Sequence, residues 1–333
     1  MTDVATLTTN LNKALFGLKI NAKCVSVRQN RHMAFCDLKL DDGCKVKKIE
    51  NCAPEIALAI GSKTEPIVKS IPSQGIVRLH IVMEHPSILP FDNIYSNSEA
   101  DPNALLPFLL GETDDGKKLW TDFAKNPHTL IAGSTGSGKS VLLHTLIKNV
   151  FRLNETGNFN IRLVLVDPKS VEFSKYRGAK NVDHIATKYN ETISILKWLE
   201  TIMENTYAAF TDVGVNSVDD LQRDYPKYFL IIDEVADLML QDKSTHEFER
   251  LLCRLAAKGR AMGLSIVAAS QRPSVDIITG SLKANFPARI ACKVASKMDS
   301  KVILDQSGAE TLVRGDCIIH NYDNDFVRFQ VSM

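Results

Sequence analysis

The chain has 333 residues, 44% hydrophobic, 24% charged and 7% aromatic, with 40 Lys and Arg against 39 Asp and Glu. A chain of this length builds one or two domains with sizeable cores, and its formal charge of +1 excludes a wholesale basic protein while leaving room for one basic face. No apolar run approaches the ~20 residues that span a bilayer, the N-terminus lacks a signal-peptide pattern, and seven cysteines without a C-x-x-C pair read as free thiols.

These features predict a cytoplasmic protein with no membrane insertion and no structural metal. From the N-terminus, Leu7–Phe16 has helical spacing, and Met33–Cys36 and Lys45-Val46 look extended, with Asp41-Asp42-Gly43 as a hairpin signal between them. Ile49–Ile60 reads as one helix stopped by Gly61, and Ile76–Met83 as a strand. Residues 1–85 therefore form a small α+β domain. Pro86, Pro90, Pro102 and Pro107 mark residues 86–107 as a linker or extended arm.

From residue 108 to 333 apolar strands alternate with long helical segments. The strands are His128–Ala132, Ile161–Asp167, Tyr228–Asp233, Leu264–Gln271, Arg289–Val294 and Cys317–His320; the clearest helices are Val141–Phe151 and Thr192–Phe210. Near-continuous Val/Ile/Leu strands separated by helices predict an α/β fold with a mostly parallel sheet covered on both faces.

The sharpest motif is Gly133-Ser134-Thr135-Gly136-Ser137-Gly138-Lys139-Ser140, a match to G-x-x-x-x-G-K-[ST] that follows one predicted strand and opens one predicted helix. Glycines let successive N–H groups turn toward phosphates, and the helix N-terminus adds its positive end. Lys139 is placed to reach the β/γ-phosphates and Ser140 to ligate Mg²⁺, so ATP with Mg²⁺ is the expected cofactor pair. Tyr228–Ile232 then runs into Asp233 and Glu234. In this setting Asp233 is expected to hold the metal through water, and Glu234 to orient and polarise the attacking water. Gln271, at the end of another strand, is a candidate sensor of the γ-phosphate. Asp167-Pro168-Lys169 ends a further strand without a role that chemistry alone assigns.

Charge is uneven. Between Arg250 and Val302 ten basic residues, among them Arg254, Lys258, Arg260, Lys283 and Arg289, face only Asp276 and Asp299. Such a cluster is either a solvated face or a surface for phosphate backbones, and its position around the strand ending in Gln271 favours DNA contact without base reading.

The strings HTLIAGSTGSGKSVLLHTLI, LVLVDPKSVEFSKYRG, FLIIDEVADLM and KGRAMGLSIVAASQRPSVDIITGSLKANFPARIACKVASKMDSKVILDQSGAE resemble the FtsK/SpoIIIE DNA translocases of the HerA–FtsK group. FGLKINAKCVSV, GCKVKKIENCAPEIALAIGSK and VKSIPSQGIVRLHI are similar to the small domain that precedes that family's motor, so the resemblance covers nearly the whole chain. It implies a RecA-like P-loop motor that assembles with copies of itself as a ring, usually a hexamer, around double-stranded DNA. By position it gives Gly133–Ser140 the nucleotide, Asp233 and Glu234 the metal and hydrolysis roles, and Gln271 the sensor. Arg260 and Arg254 are candidates for the arginine that a neighbouring subunit supplies to the transition state. The Arg272–Phe286 loop is expected to face the pore, with Lys283 and Lys258 as backbone contacts.

The chain departs from the pattern in three ways: no N-terminal membrane segment, no C-terminal winged-helix module, and a Thr311–Asp316 stretch one residue shorter than the family's. A soluble motor of this kind suits a plasmid, phage or other mobile element as well as chromosome segregation. The resulting expectation is an ATP-driven, sequence-nonspecific double-stranded DNA translocase. The alternatives are a related ring ATPase that moves protein in a secretion system, and a nucleotide-gated DNA clamp that hydrolyses slowly.

Overall fold

A computed structural model describes residues 4–29, 33–82, 89–96, 100–221, 225–242, 244–320 and 326–333. The chain divides into two compact units, Met1–Leu89 with Asp114–Lys117, and Pro90–Thr113 with Lys118–Met333.

The first unit contains α1 (Val4–Gly17), β1 (Ala22–Gln29), β2 (Met33–Leu40), α2 (Val46–Asn51), α3 (Ala53–Ile60), β3 (Ile67–Ile71) and β4 (Ile76–Val82). Leu7, Leu11, Ala14 and Leu15 form the buried stripe of α1 at helical spacing. The four strands lie in the order β1-β2-β4-β3, all antiparallel.

Two local expectations are corrected here. Lys45-Val46 is not a strand: Lys45 precedes α2 and Val46 begins it. Both edges of β2 are already filled, by β1 and by β4, so the expected hairpin with β2 across Asp41-Asp42-Gly43 cannot form, and the chain turns into a helix instead. The expected single helix Ile49–Ile60 is two, broken at Cys52. Pro54 has no N–H to give to a continuing helix and fits the first turn of a new one. Gly61 does end α3, in the left-handed conformation at φ 71°. Met83, expected to close β4, and residues 86–88 and 97–99 of the expected arm lie outside the described residues.

The second unit runs α4 (Phe91–Ser96), β5 (Pro107–Thr113), β6 (Lys118–Asp122), β7 (His128–Ala132), α5 (Lys139–Glu155), β8 (Ile161–Val166), β9 (Val182–Ala186), α6 (Tyr189–Val213), β10 (Lys227–Ile232), α7 (Val235–Gln241), α8 (Glu247–Lys258), β11 (Leu264–Ser270), α9 (Gly280–Asn285), β12 (Ala288–Cys292), α10 (Lys297–Leu304), β13 (Asp316–His320) and β14 (Phe326–Val331). Phe91–Ser96 is thus helical inside the stretch read as an arm, and the Phe91 N–H donates to the Met333 carbonyl.

The sheet order is β6-β5-β14-β13-β12-β7-β11-β10-β8-β9. From β12 to β9 every described pairing is parallel, as the helical crossovers demand; from β12 back to β6 every pairing is antiparallel. Alternate residues of the parallel strands feed two cores. One packs under α5, through Leu142, Leu146, Phe229 and Ile231. The other packs under α6 and α8, through Leu196, Leu199, Leu251, Leu255 and Leu230. Each face of the sheet is therefore buried, which is why its strands read as continuous apolar runs.

Two features of this unit are testable. A Cβ on Gly111 of β5 would lie 1.8 Å from the Gln330 carbonyl oxygen of β14. Gly111→Ala is expected to force these strands apart and cost at least about 1–3 kcal/mol, read as a lower calorimetric melting temperature. His128, at the start of β7, is 3% exposed. Burial pushes it down to about 4 from an ordinary 6.5; the Ala256 carbonyl partly offsets this and the Arg260 charge adds to it. The unfolded chain takes up this proton below about pH 6.5 and the folded chain only near 4, so stability falls as pH drops through that window, by about 2 kcal/mol at pH 5. His128→Phe is expected to flatten the fall in melting temperature between pH 7 and 5; an unchanged slope would count against it.

Candidate nucleotide site

Four neighbouring parallel strands, β7, β11, β10 and β8, end side by side: Ala132 is in register with Ser270, Ala268 with Ile232, and Ile232 with Val166. The residues just past each strand are therefore brought to one edge. After β7 comes the loop Gly133–Gly138, after β11 Gln271, after β10 Asp233 and Glu234, and after β8 Asp167. Polar groups cluster here because each apolar strand must surrender to a turn at the same level.

The loop is fixed by backbone contacts from outside it. The Ser134 N–H donates to the Lys293 carbonyl at 2.9 Å, and the Gly315 N–H to the Ser137 carbonyl at 2.8 Å. Gly138 has φ 111°, and a Cβ there would meet Gly315 Cα at 3.0 Å. Two demands, left-handed backbone and close approach, thus coincide on one glycine. Gly315 belongs to the Thr311–Asp316 stretch, which therefore lies directly against the loop. The exposed Arg314 shares a cavity of about 260 Å³ with Ser134, Thr135, Lys139, Ser140 and Gln271.

Lys139 opens α5 and is only 4% exposed. Its Nζ donates to Asp233 Oδ1 at 2.5 Å and to the Asp233 carbonyl at 2.8 Å. Glu234, 2% exposed, is held on several sides. Ser270 Oγ donates to Oε1 at 2.9 Å, the Gln271 N–H lies 3.2 Å from each oxygen, and Lys169 Nζ is 3.4 Å from Oε2. The Gln271 side chain turns to the loop, accepting from Thr135 Oγ1 at 3.1 Å.

Several participants lie outside the phosphate loop and the strand-end acid pair. Asp167 Oδ2 accepts the N–H groups of Glu172 and Phe173, both at 2.9 Å, and folds this segment back so that Glu172 Oε1 accepts from Ser140 Oγ at 2.7 Å. Tyr176 OH lies 2.9 Å from His144 Nδ1. Burial, with the Glu172 charge, pushes Tyr176 up to about 12, so its hydroxyl stays protonated. The Asp167-Pro168-Lys169 strand end was the visible signal; the five-residue reach to Glu172 was not. Among the described residues no group of three or more His, Cys, Asp or Glu is arranged to hold a metal ion. The Ser140 hydroxyl and the Asp233 carboxylate are hard oxygen donors of the kind that complete the shell of a cation carried mainly by phosphate and water.

The other candidates lie elsewhere. Arg260 is exposed in the turn before β11, at the opposite strand end from the loop, about 20 Å away by strand length. Arg254 is ion-paired with Glu200 and Glu204 at 3.0 and 2.9 Å. Lys283 Nζ bonds Asp305 Oδ1 at 2.8 Å, and Arg289 reaches the same carboxylate. Burial would raise that carboxyl, but the two cations outweigh it and hold it below its usual range. Lys258 is exposed at the end of α8. Acids from outside the 250–302 window thus neutralise part of its apparent excess.

The FtsK/SpoIIIE family model matches residues 92–230 and 220–275, more than half of the chain. The chain belongs to the FtsK/SpoIIIE family. It is 34% identical over 329 residues to the DNA translocase FtsK of Chlamydia muridarum, covering 93% of this chain and 41% of that protein. It is also 34% identical over 316 residues to that of Haemophilus influenzae, covering 85% and 59%. The chain therefore spans about two fifths of the first of these relatives and under two thirds of the second. Among solved structures, the pCW3 conjugation coupling protein TcpA, in its monomer form with ATPγS, aligns with TM-score 0.67 at 22% identity over 98% of this chain and 94% of that one. The type VII secretion ATPase EccC of Thermomonospora curvata aligns with TM-score 0.63 at 22% identity over 74% and 32%. These structures share the fold. As an FtsK/SpoIIIE member with this loop the chain is a P-loop ATPase, and the expected α/β class with its mostly parallel sheet stands. Among the described residues no helix is long and apolar enough to cross a membrane.

Gly138→Ala is expected to lower ATPγS affinity by more than about tenfold with little change in melting temperature, because it strains the loop rather than the core. Equal affinity by calorimetry would contradict the assignment of this cavity to nucleotide.

Proposed function

We propose that this chain is the motor part of an ATP-driven translocase for double-stranded DNA, working without sequence preference as a ring of identical subunits, a hexamer. The observation that carries the reading is the convergence of Lys139, Asp233, Glu234 and Gln271 on one sheet edge in a member of this family. Relatives named DNA translocase FtsK support DNA as the substrate.

In this reading Gly133–Ser140 cradle the phosphates of ATP, and Ser140 with Asp233 hold Mg²⁺, which when bound neutralises β- and γ-phosphate charge. Lys139 leaves Asp233 for the γ-phosphate, an exchange of one oxygen partner for another. Glu234, pinned by Ser270 and the Gln271 amide, orients the attacking water. Gln271, in contact with Thr135, relays γ-phosphate loss from the loop to the Arg272–Phe286 segment. Arg260 lies too far from its own loop to act there, which supports supply to a neighbour's site. Lys258 and Lys283 contact the DNA backbone. The seven free cysteines support a reducing compartment, the cytoplasm.

Steady-state ATP hydrolysis is expected to rise at least about tenfold on adding long linear double-stranded DNA, and to fall to background in Lys139→Ala and Glu234→Gln. Lys258→Ala with Lys283→Ala should weaken DNA binding and flatten its salt dependence together. Mixing Arg260→Ala with Glu234→Gln subunits should restore some turnover, since each supplies what the other lacks. Turnover indifferent to DNA would overturn the DNA motor and favour an ATPase that moves protein; tight ATP-dependent DNA binding without turnover would favour a clamp.

A further inference from the structure

The Ser140 hydroxyl has one hydrogen and two lone pairs. Its hydrogen is committed to Glu172 Oε1 at 2.7 Å, which leaves the lone pairs as the group's remaining capacity in a cavity that both residues line. Glu172 is not a loose neighbour. Its own N–H and that of the fully buried Phe173 are tied to Asp167 Oδ2 at 2.9 Å. Its second oxygen faces His144 Nε2 at 3.3 Å, and His144, one helical turn beyond Ser140 on α5, is itself engaged by the Tyr176 hydroxyl at 2.9 Å. Lys175 Nζ also lies 3.3 Å from His144 Nε2. The carboxylate is thus fixed at both oxygens and along its backbone, with one of them spent on a single hydroxyl.

We infer that Glu172 is a positioning residue for Mg²⁺, acting through Ser140: it keeps the hydroxyl hydrogen while the Ser140 oxygen serves the ion. A carboxylate in that place does two things. It orients the lone pairs away from itself, and its negative charge makes the oxygen a better donor to a cation, as partners behind metal ligands do generally. Neither the G-x-x-x-x-G-K-[ST] loop nor the strand-end acid pair contains this residue, so it adds an element that motif reading omits. The inference rests on the nucleotide reading above.

The test is ATPγS binding by calorimetry, titrated with Mg²⁺ and repeated in EDTA, for the full chain and its Glu172→Ala, Glu172→Gln, Ser140→Ala and Ser140→Ala/Glu172→Ala variants. Glu172→Ala is expected to raise the Mg²⁺ concentration at half-effect by about tenfold, while affinity in EDTA stays within about twofold. The double variant should bind no worse than Ser140→Ala, because Glu172 works only through that hydroxyl. An unchanged Mg²⁺ midpoint, an equal loss in EDTA, or additive losses in the double variant would each overturn the proposal. Should Glu172→Ala fail to fold, the near-isosteric Glu172→Gln, which keeps an acceptor without charge, is expected to shift the midpoint several-fold, and an unshifted midpoint overturns it equally. Absence of ATPγS binding in the unaltered chain would refute the nucleotide reading itself; normal binding with an unmoved Mg²⁺ midpoint in the variants would refute only the role of Glu172.

Discussion

A lysine ammonium that is 4% exposed must have a partner, and here the partner is Asp233. Removing one member of such a buried pair costs on the order of 3–5 kcal/mol, because the other is left charged in a poor solvent. The pair joins the first residue of α5 to the residue after β10, two elements that are far apart in sequence and have β11 between their strands in the sheet. Everything else at the sheet edge is arranged around that tie. The loop before Lys139 is closed by Gly315 and Lys293, and the acid after Asp233 is pinned by Ser270 and Gln271.

The tie is also what makes the site responsive. The ammonium is held by two oxygens of its own chain, and in the function proposed above ligand entry exchanges those partners rather than desolvating a charge afresh. The neighbouring Gln271 touches the loop with its side chain and Glu234 with its backbone. A change at the loop therefore reaches the start of the Arg272–Phe286 segment through one residue. On the far edge of the sheet Arg260 shares its surroundings with His128, and the interior there is apolar enough to keep that imidazole neutral at physiological pH.

Charge in this protein shows how a linear window misleads. The 250–302 segment has ten basic residues and two acids, yet Arg254, Lys283 and Arg289 are tied to Glu200, Glu204 and Asp305, all outside it. Helix α6 runs alongside α8 and brings its glutamates across, and the residue capping α10 comes back under α9 and β12. The remaining seven, Arg250, Lys258, Arg260, Arg272, Lys293, Lys297 and Lys301, are exposed and carry the positive charge of this segment's surface.

Sequence by itself determined the parallel core and the loop. His128–Ala132, Tyr228–Ile232 and Leu264–Ser270 are legible because strands buried on both faces are apolar over most of their length, and G-x-x-x-x-G-K-[ST] is legible because its glycines and lysine fall within eight residues. Gly61 was readable as a helix stop for a local reason, the left-handed cap. Tertiary structure alone decided what depended on neighbours distant in sequence. The segment after Asp41-Asp42-Gly43 became helix because β2 had both edges taken. Strands β5, β6 and β14 extended the sheet antiparallel because each found an edge left open by the last. Glu172 came to Ser140 because Asp167, at the end of β8, folds the intervening residues back by accepting two backbone N–H groups. A hydrogen bond between residues 32 apart has no periodic signature; it exists only once the strands are set side by side.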